Sequence, residues 1–254
     1  MAELRSSNPV FRRGGFGAPA EPTGAPDPLD NLYHDPGRLT IDDVVIHTFG
    51  VFAVTAAAGA IGWAIAPGMP GVGFAAGLGA LALSLFIAFR NALRPPLIVL
   101  FAVLEGLFVG AISRYYEDAY HGIVLQALLG TGLVFVTMLG AYRLRILRAT
   151  PRMARVVFGT LMGVVALGLI DLVVRVTTGS QLPVINSGST FGILFSVVVL
   201  AVASLQFILD FDYIERAIAA GAPRSDAWRA AYGLLIGFVW VYLELLRLLG
   251  KLRQ

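Results

Sequence analysis

The sequence predicts an all-α, polytopic membrane protein with seven transmembrane helices. Apolar runs of about 20 residues recur between short polar breaks, and about 20 helical residues cross a hydrocarbon core of about 30 Å. Of the 254 residues, 57% are hydrophobic and 14% charged. The mean hydropathy is +0.78, far outside the range of a soluble domain. Proline and charged residues punctuate the breaks, where helices stop.

Residues 1–43 are rich in Pro, Gly and polar groups and cannot bury enough apolar surface to fold alone, so they read as a disordered cytosolic tail. No charged start leads at once into an apolar run and a small-residue cleavage site, so the tail does not read as a secretory signal peptide. Residues 44–254 then form the transmembrane domain. Thr40 is a natural N-cap for the first helix, with Asp42 and Asp43 in its first turn at the positive helix end.

The apolar runs lie at 44–66, 71–89, 96–115, 122–142, 155–176, 190–211 and 229–249. Pro67 and Pro70 separate the first two, Pro95 and Pro96 open the third, and Glu117 and Asp118 follow it. Pro151, Pro183 and Pro223 mark the later breaks. The tail and the even-numbered connections hold most of the arginines, among them Arg90, Arg94, Arg143, Arg145, Arg148, Arg216 and Arg224. Excess positive charge marks the cytoplasmic side, so the N-terminus is expected in the cytosol. Seven crossings then place the C-terminus outside, against the pull of Arg247, Lys251 and Arg253. A last helix buried centrally, or only half crossing, removes that conflict.

Ionisable groups at membrane depth are costly, face the bundle interior and mark pathways or switches. Asp210 and Asp212 close the sixth run. Two apart on a helix, they point about 200° from one another, so only one faces a given neighbour. Asp212 suits the cytosolic mouth with Arg216 as its partner at i+4; the alternative is that both acids are solvated at a helix end. Glu244 lies deep in the last run with Arg247 three residues on. It is either half of an intrahelical pair or an acid facing a central cavity. Glu105 sits mid-helix beside Gly106 and Gly110, a small-xxx-small face on which another helix can pack closely. Asp171 and Arg175 read as a structural pair at the outer mouth, and Arg90 and Arg94 as holders of a cytosolic loop. Two carboxylates drawn together inside a bundle can share one proton, which makes a pH switch. Their oxygens also suit a hard cation such as Ca²⁺.

With no cysteine there is no disulfide framework and no cysteine metal site. His34, His47 and His121 are too scattered for a zinc site, and no cofactor motif is present. An intramembrane serine protease needs a serine motif and a histidine within the helices. Asn186-Ser187-Gly188-Ser189 falls in a loop, and the glycine motif that an aspartyl protease needs is missing, so no enzyme activity is expected. The net charge of +3 comes from loop arginines, which leaves no case for nucleic-acid binding. Lys251 is the single lysine among 19 basic residues, a bias that suggests a GC-rich, bacterial source and hence the bacterial cytoplasmic membrane.

Ser6-Ser7-Asn8-Pro9-Val10-Phe11-Arg12-Arg13, Thr40-Ile41-Asp42-Asp43-Val44-Val45 and Leu104-Glu105-Gly106 with Gly110 together resemble the Bax inhibitor-1 (transmembrane BAX inhibitor motif) family, in its bacterial YccA-like branch. Phe211-Asp212-Tyr213-Ile214 and Tyr242-Leu243-Glu244-Leu245-Leu246-Arg247-Leu248-Leu249 carry the resemblance further. It implies a seven-helix fold in which a central last helix is wrapped by the other six. It also implies a pH-sensitive Ca²⁺ leak gated by an acid late in helix six and an acid in helix seven. Carried over, these are Asp212 and Glu244. Tyr213-Ile214 stands where the family has Thr-Gln, and glutamate replaces the second aspartate.

The leading expectation is therefore a cation leak, with Ca²⁺ or H⁺ as permeant ion, gated by Asp212 and Glu244 with Asp210 and Glu105 on the pathway. The competing reading is a membrane-embedded regulatory protein that binds and modulates a membrane protease or stress-response partner through its tail.

Overall fold

The computed structural model describes residues 37–69, 71–90, 92–180 and 188–253. Most of the predicted tail and part of the Asn186–Ser189 loop lie outside the described residues. Residues 38–254 form one compact unit, in which the described residues build seven helices: α1 (Ile41–Ile65), α2 (Val72–Arg90), α3 (Pro95–Ala119), α4 (Ile123–Arg143), α5 (Pro151–Thr178), α6 (Thr190–Ala219) and α7 (Asp226–Leu252). Each is long and apolar enough to cross a membrane.

Local chemistry sets the helix ends. Thr40 and Asp43 form a reciprocal capping box at α1, so the helix begins at the expected N-cap, three residues before the apolar run that opens at 44. Thr150 caps α5 through its hydroxyl, with Pro151 at the first helical position. Ser189 caps α6 in the same way. Glu117 and Asp118 lie inside α3 and do not break it. The Glu117 carboxylate instead accepts hydrogen bonds from the backbone N–H groups of Gly122 (2.6 Å) and Val124 (3.2 Å), orienting the start of α4. Gly122 itself takes φ +79°, a left-handed turn that glycine adopts without strain. α6 runs eight residues past the predicted end at 211, so Asp210 and Asp212 lie well inside a helix.

The last helix is the axis of the fold. In α7, 56% of the most apolar window is buried, against 11% in α5. It packs mainly against α1, α3, α4 and α6, while α2 lies on α3 and α5 on α6. The expected central helix is thus present, with four of its neighbours in direct contact and two forming an outer layer. The tightest seam joins α1 and α3. A Cβ at Gly106 would meet the Thr55 carbonyl and Ala58, one at Gly110 the backbone of Gly59, and one at Gly62 the backbone of Leu107. The small-residue face read at Gly106 and Gly110 therefore packs on α1. The lipid-facing flank is apolar, as at Leu125, Leu129 and Leu133 on α4 and Val173 and Val176 on α5.

Residues 38–40 belong to the folded body. Leu39 is buried, its N–H bonds the Ala222 carbonyl at 2.8 Å, and Arg38 bridges Pro223. Arg224 adds an ion pair to Asp43 at 2.7 Å. The start of α1 is thereby fastened to the α6–α7 connection.

Candidate functional site

Asp210 and Asp212 divide as their angular separation requires, and Asp210 is the one that faces α7. Its Oδ1 accepts from Gln206 Nε2 at 2.8 Å, while Oδ2 is buried without a hydrogen-bond partner among the described residues. The carboxylate rests on a glycine stripe: a Cβ at Gly233 would stand 3.3 Å from Oδ1, and one at Gly237 3.3 Å from Oδ2. Two glycines one turn apart leave room for a carboxylate between helices that would otherwise touch. Asp212 points away from the stripe and pairs with Arg216 four residues on, with its side chain 23% exposed.

Glu244 is almost fully buried on α7. Its Oε2 accepts from Arg247 Nη1 at 2.7 Å, and among the described residues Oε1 has no hydrogen-bond partner. Lys251 lies about two turns on, also buried, and its ammonium donates to the Gly192 carbonyl (2.9 Å) and the Ser196 hydroxyl (2.8 Å) at the start of α6. Arg253 donates to the His121 carbonyl and to Gln126. The three basic residues near the C-terminus thus each have a partner within the bundle.

Asp212 and Glu244 are not brought together. The contacts of Lys251 with Ser196 and of Asp210 with Gly233 and Gly237 set an antiparallel register between α6 and α7. Glu244 lies seven residues past Gly237, about 10 Å along the helix axis, and Asp212 lies beyond Asp210 in the opposite direction. The two acids expected to form the gate are therefore set apart along the α6–α7 seam.

Glu105 projects from α3 close enough to Tyr232 of α7 to interact with it electrostatically, and makes no hydrogen bond or ion pair among the described residues. Asp171 and Arg175 form the expected i,i+4 pair at 3.2 Å. Arg90 is exposed at the end of α2. Among the described residues, no group of three His, Asp or Glu side chains stands ready to hold a metal ion.

Two cavities line the gap between α1 and α4, with α7 as floor. The larger, of 1330 Å³, spans from Val44 and Phe49 of α1 to Leu139 of α4, and has Arg143, Arg145, Arg148, Asp212, Glu215 and Arg216 around one end. The smaller, of 320 Å³, lies further along the same gap, bounded by Trp63, Ser113 and Tyr242. Phe52 and Phe238 belong to both, and their edge-to-face contact at 4.9 Å forms the partition. Asp210, Glu105 and Glu244 line neither cavity.

Three elements escaped the sequence reading: the Gly233/Gly237 stripe, the buried Lys251 and the Tyr142–Glu215 hydrogen bond. Only the first had a legible signal, two glycines at i and i+4 opposite an acid-bearing helix. Over residues 8–254 the chain matches the family described as Bax inhibitor 1 like. No curated protein and no solved structure matches it.

Proposed function

The chain belongs to the Bax inhibitor 1-like family, and from that premise we propose that this multi-pass membrane protein is a pH-sensitive cation leak whose gate is the α6–α7 seam at Asp210. The observation that carries the reading is the Asp210 carboxylate, with one oxygen buried and unpartnered against the glycine stripe of the central helix. An acid kept in that setting is retained for a task other than stability, because an unpaired buried charge is costly. A proton on Asp210 lets the seam stay closed. Loss of that proton puts a charge between two helix backbones, which favours separation and admits water and a cation. Among the described residues, Gln206 is the one side chain that hydrogen-bonds the group; the facing positions on α7 are glycines and carry no counter-charge. Ca²⁺ is the permeant ion tested first, since carboxylate oxygens suit a hard cation. Glu244, with its own unpartnered oxygen, is the second acid on the path. The arginine-rich end of the bundle is assigned to the cytosol.

The test is Ca²⁺ flux into proteoliposomes from mildly acidic to mildly alkaline pH, with equal amounts of folded, inserted protein. Unmodified protein should leak more as pH rises. Asp210→Asn should abolish that dependence, Glu244→Gln should alter the flux, and Asp212→Asn should behave like the unmodified chain. No flux at any pH, or a pH response that survives in Asp210→Asn, refutes the gate.

A further inference from the structure

We propose that the large cavity between α1 and α4 binds an anionic phospholipid of the surrounding leaflet. Its phosphate is held by Arg143, Arg145 and Arg148, and its acyl chains lie along α1 and α7. The site stands apart from the acids of the α6–α7 seam and does not depend on ion conduction.

The cavity has the size and the division into an apolar body and a charged end that a lipid requires. At 1330 Å³ it exceeds the range of about 300–1,000 Å³ usual for small-molecule pockets. Its body is apolar, running from Val44, Phe49 and Phe52 on α1 to Leu234 and Phe238 on α7. The apolar wall continues to the outside of the bundle: Ile41, Val45 and Phe49, one turn apart on α1, are 61%, 44% and 74% exposed. A chain could therefore enter sideways from the hydrocarbon phase without crossing a polar surface.

The polar end supplies the charge complementarity. Two acids and four arginines line it, and the acids are already engaged: Asp212 pairs with Arg216, and Glu215 accepts the Tyr142 hydroxyl. Arg143, Arg145 and Arg148 have no carboxylate partner among the described residues. They come to one rim because α4 ends in a tight turn in which Arg145 takes φ +58°, a left-handed conformation that residues other than glycine adopt rarely. Basic pockets between transmembrane helices are recognised sites for anionic headgroups. A zwitterionic lipid would bring its own cation to the same place, so the rim selects for net negative charge.

The full-length protein in mild detergent is offered phosphatidylglycerol or phosphatidylcholine of equal chain length, and retained lipid is counted by native mass spectrometry. Unmodified protein should retain phosphatidylglycerol preferentially. Each arginine near a headgroup contributes roughly fivefold, so Arg143→Gln/Arg145→Gln/Arg148→Gln should weaken retention on the order of a hundredfold. Arg152→Gln/Arg155→Gln, at the start of α5 and outside the cavity, should leave it unchanged. Equal retention of the two lipids, or equal loss in both variants, overturns the proposal. Leu139→Trp provides a reading from inside the cavity that does not depend on the folding of the triple variant. Phosphatidylglycerol brominated on its acyl chains should quench that tryptophan more than the brominated phosphatidylcholine does, and inorganic phosphate should not relieve the quenching. Relief by phosphate identifies a plain anion site and overturns the lipid assignment. Absence of quenching, whatever else fills the cavity, overturns it as well.

Discussion

Replacing Gly110 with alanine would place a methyl group against the backbone of α1. Its Cβ would come within 2.7 Å of the Gly59 carbonyl carbon and 2.8 Å of the Gly59 Cα, against about 3.5–4.0 Å for carbon atoms in ordinary contact. Backbone cannot rotate aside as a side chain can, so α1 and α3 must part by about 1 Å, forfeiting a quarter to a half of the dispersion attraction along that stretch. Overpacking of this kind costs about 1–3 kcal/mol, offset by up to about 1 kcal/mol that alanine gains over glycine within a helix. Gly132 of α4 is the control, since nothing lies within 4 Å of a Cβ there and the substitution brings only the gain. The two variants should thus differ by about 1–3 kcal/mol in stability. At about 2–4 °C per kcal/mol for a chain of this size, that is a gap of about 2–12 °C in unfolding temperature. Circular dichroism of the purified proteins in the same detergent measures it. Equal unfolding temperatures for Gly110→Ala and Gly132→Ala would show that the α1–α3 seam is not closely packed.

Gly237→Ala should crowd the Asp210 carboxylate and alter Ca²⁺ flux in proteoliposomes while the protein stays folded; unchanged flux would detach the glycine stripe from the gate. Thr40→Ala removes the hydroxyl that caps α1 and should cost about 0.5–2 kcal/mol, seen as faster amide exchange in the first turn of that helix, with Thr40→Ser near neutral. Lys251→Met leaves the Gly192 carbonyl and the Ser196 hydroxyl without their donor, a loss of about 1–3 kcal/mol. It should loosen the start of α6 in hydrogen exchange, and identical protection in the variant would remove Lys251 from its assigned role.

The sequence by itself determined the number of helices, their approximate bounds and the special residues within them. Apolar run length answers to bilayer thickness, and caps such as Thr40 and Asp43 act over three or four residues, so both are written locally. The same holds for the i,i+3 and i,i+4 pairs Glu244–Arg247, Asp171–Arg175 and Asp212–Arg216, which helical spacing places within reach whatever surrounds them. Membership of the family was legible too, from scattered segments read together. Helical spacing also required that Asp210 and Asp212 face different ways, but not which of them faces α7. That choice belongs to the rotational phase of α6, and the phase follows from packing against Gly233 and Gly237. The axial register of α6 against α7, held in part by Lys251 on Gly192 and Ser196, separates Asp212 from Glu244. The gap between α1 and α4, with its arginine rim, arises where both helices pack on α7 and α6 closes one end. Phase, register and spacing are sums over contacts between residues far apart in the chain, and no local pattern encodes them.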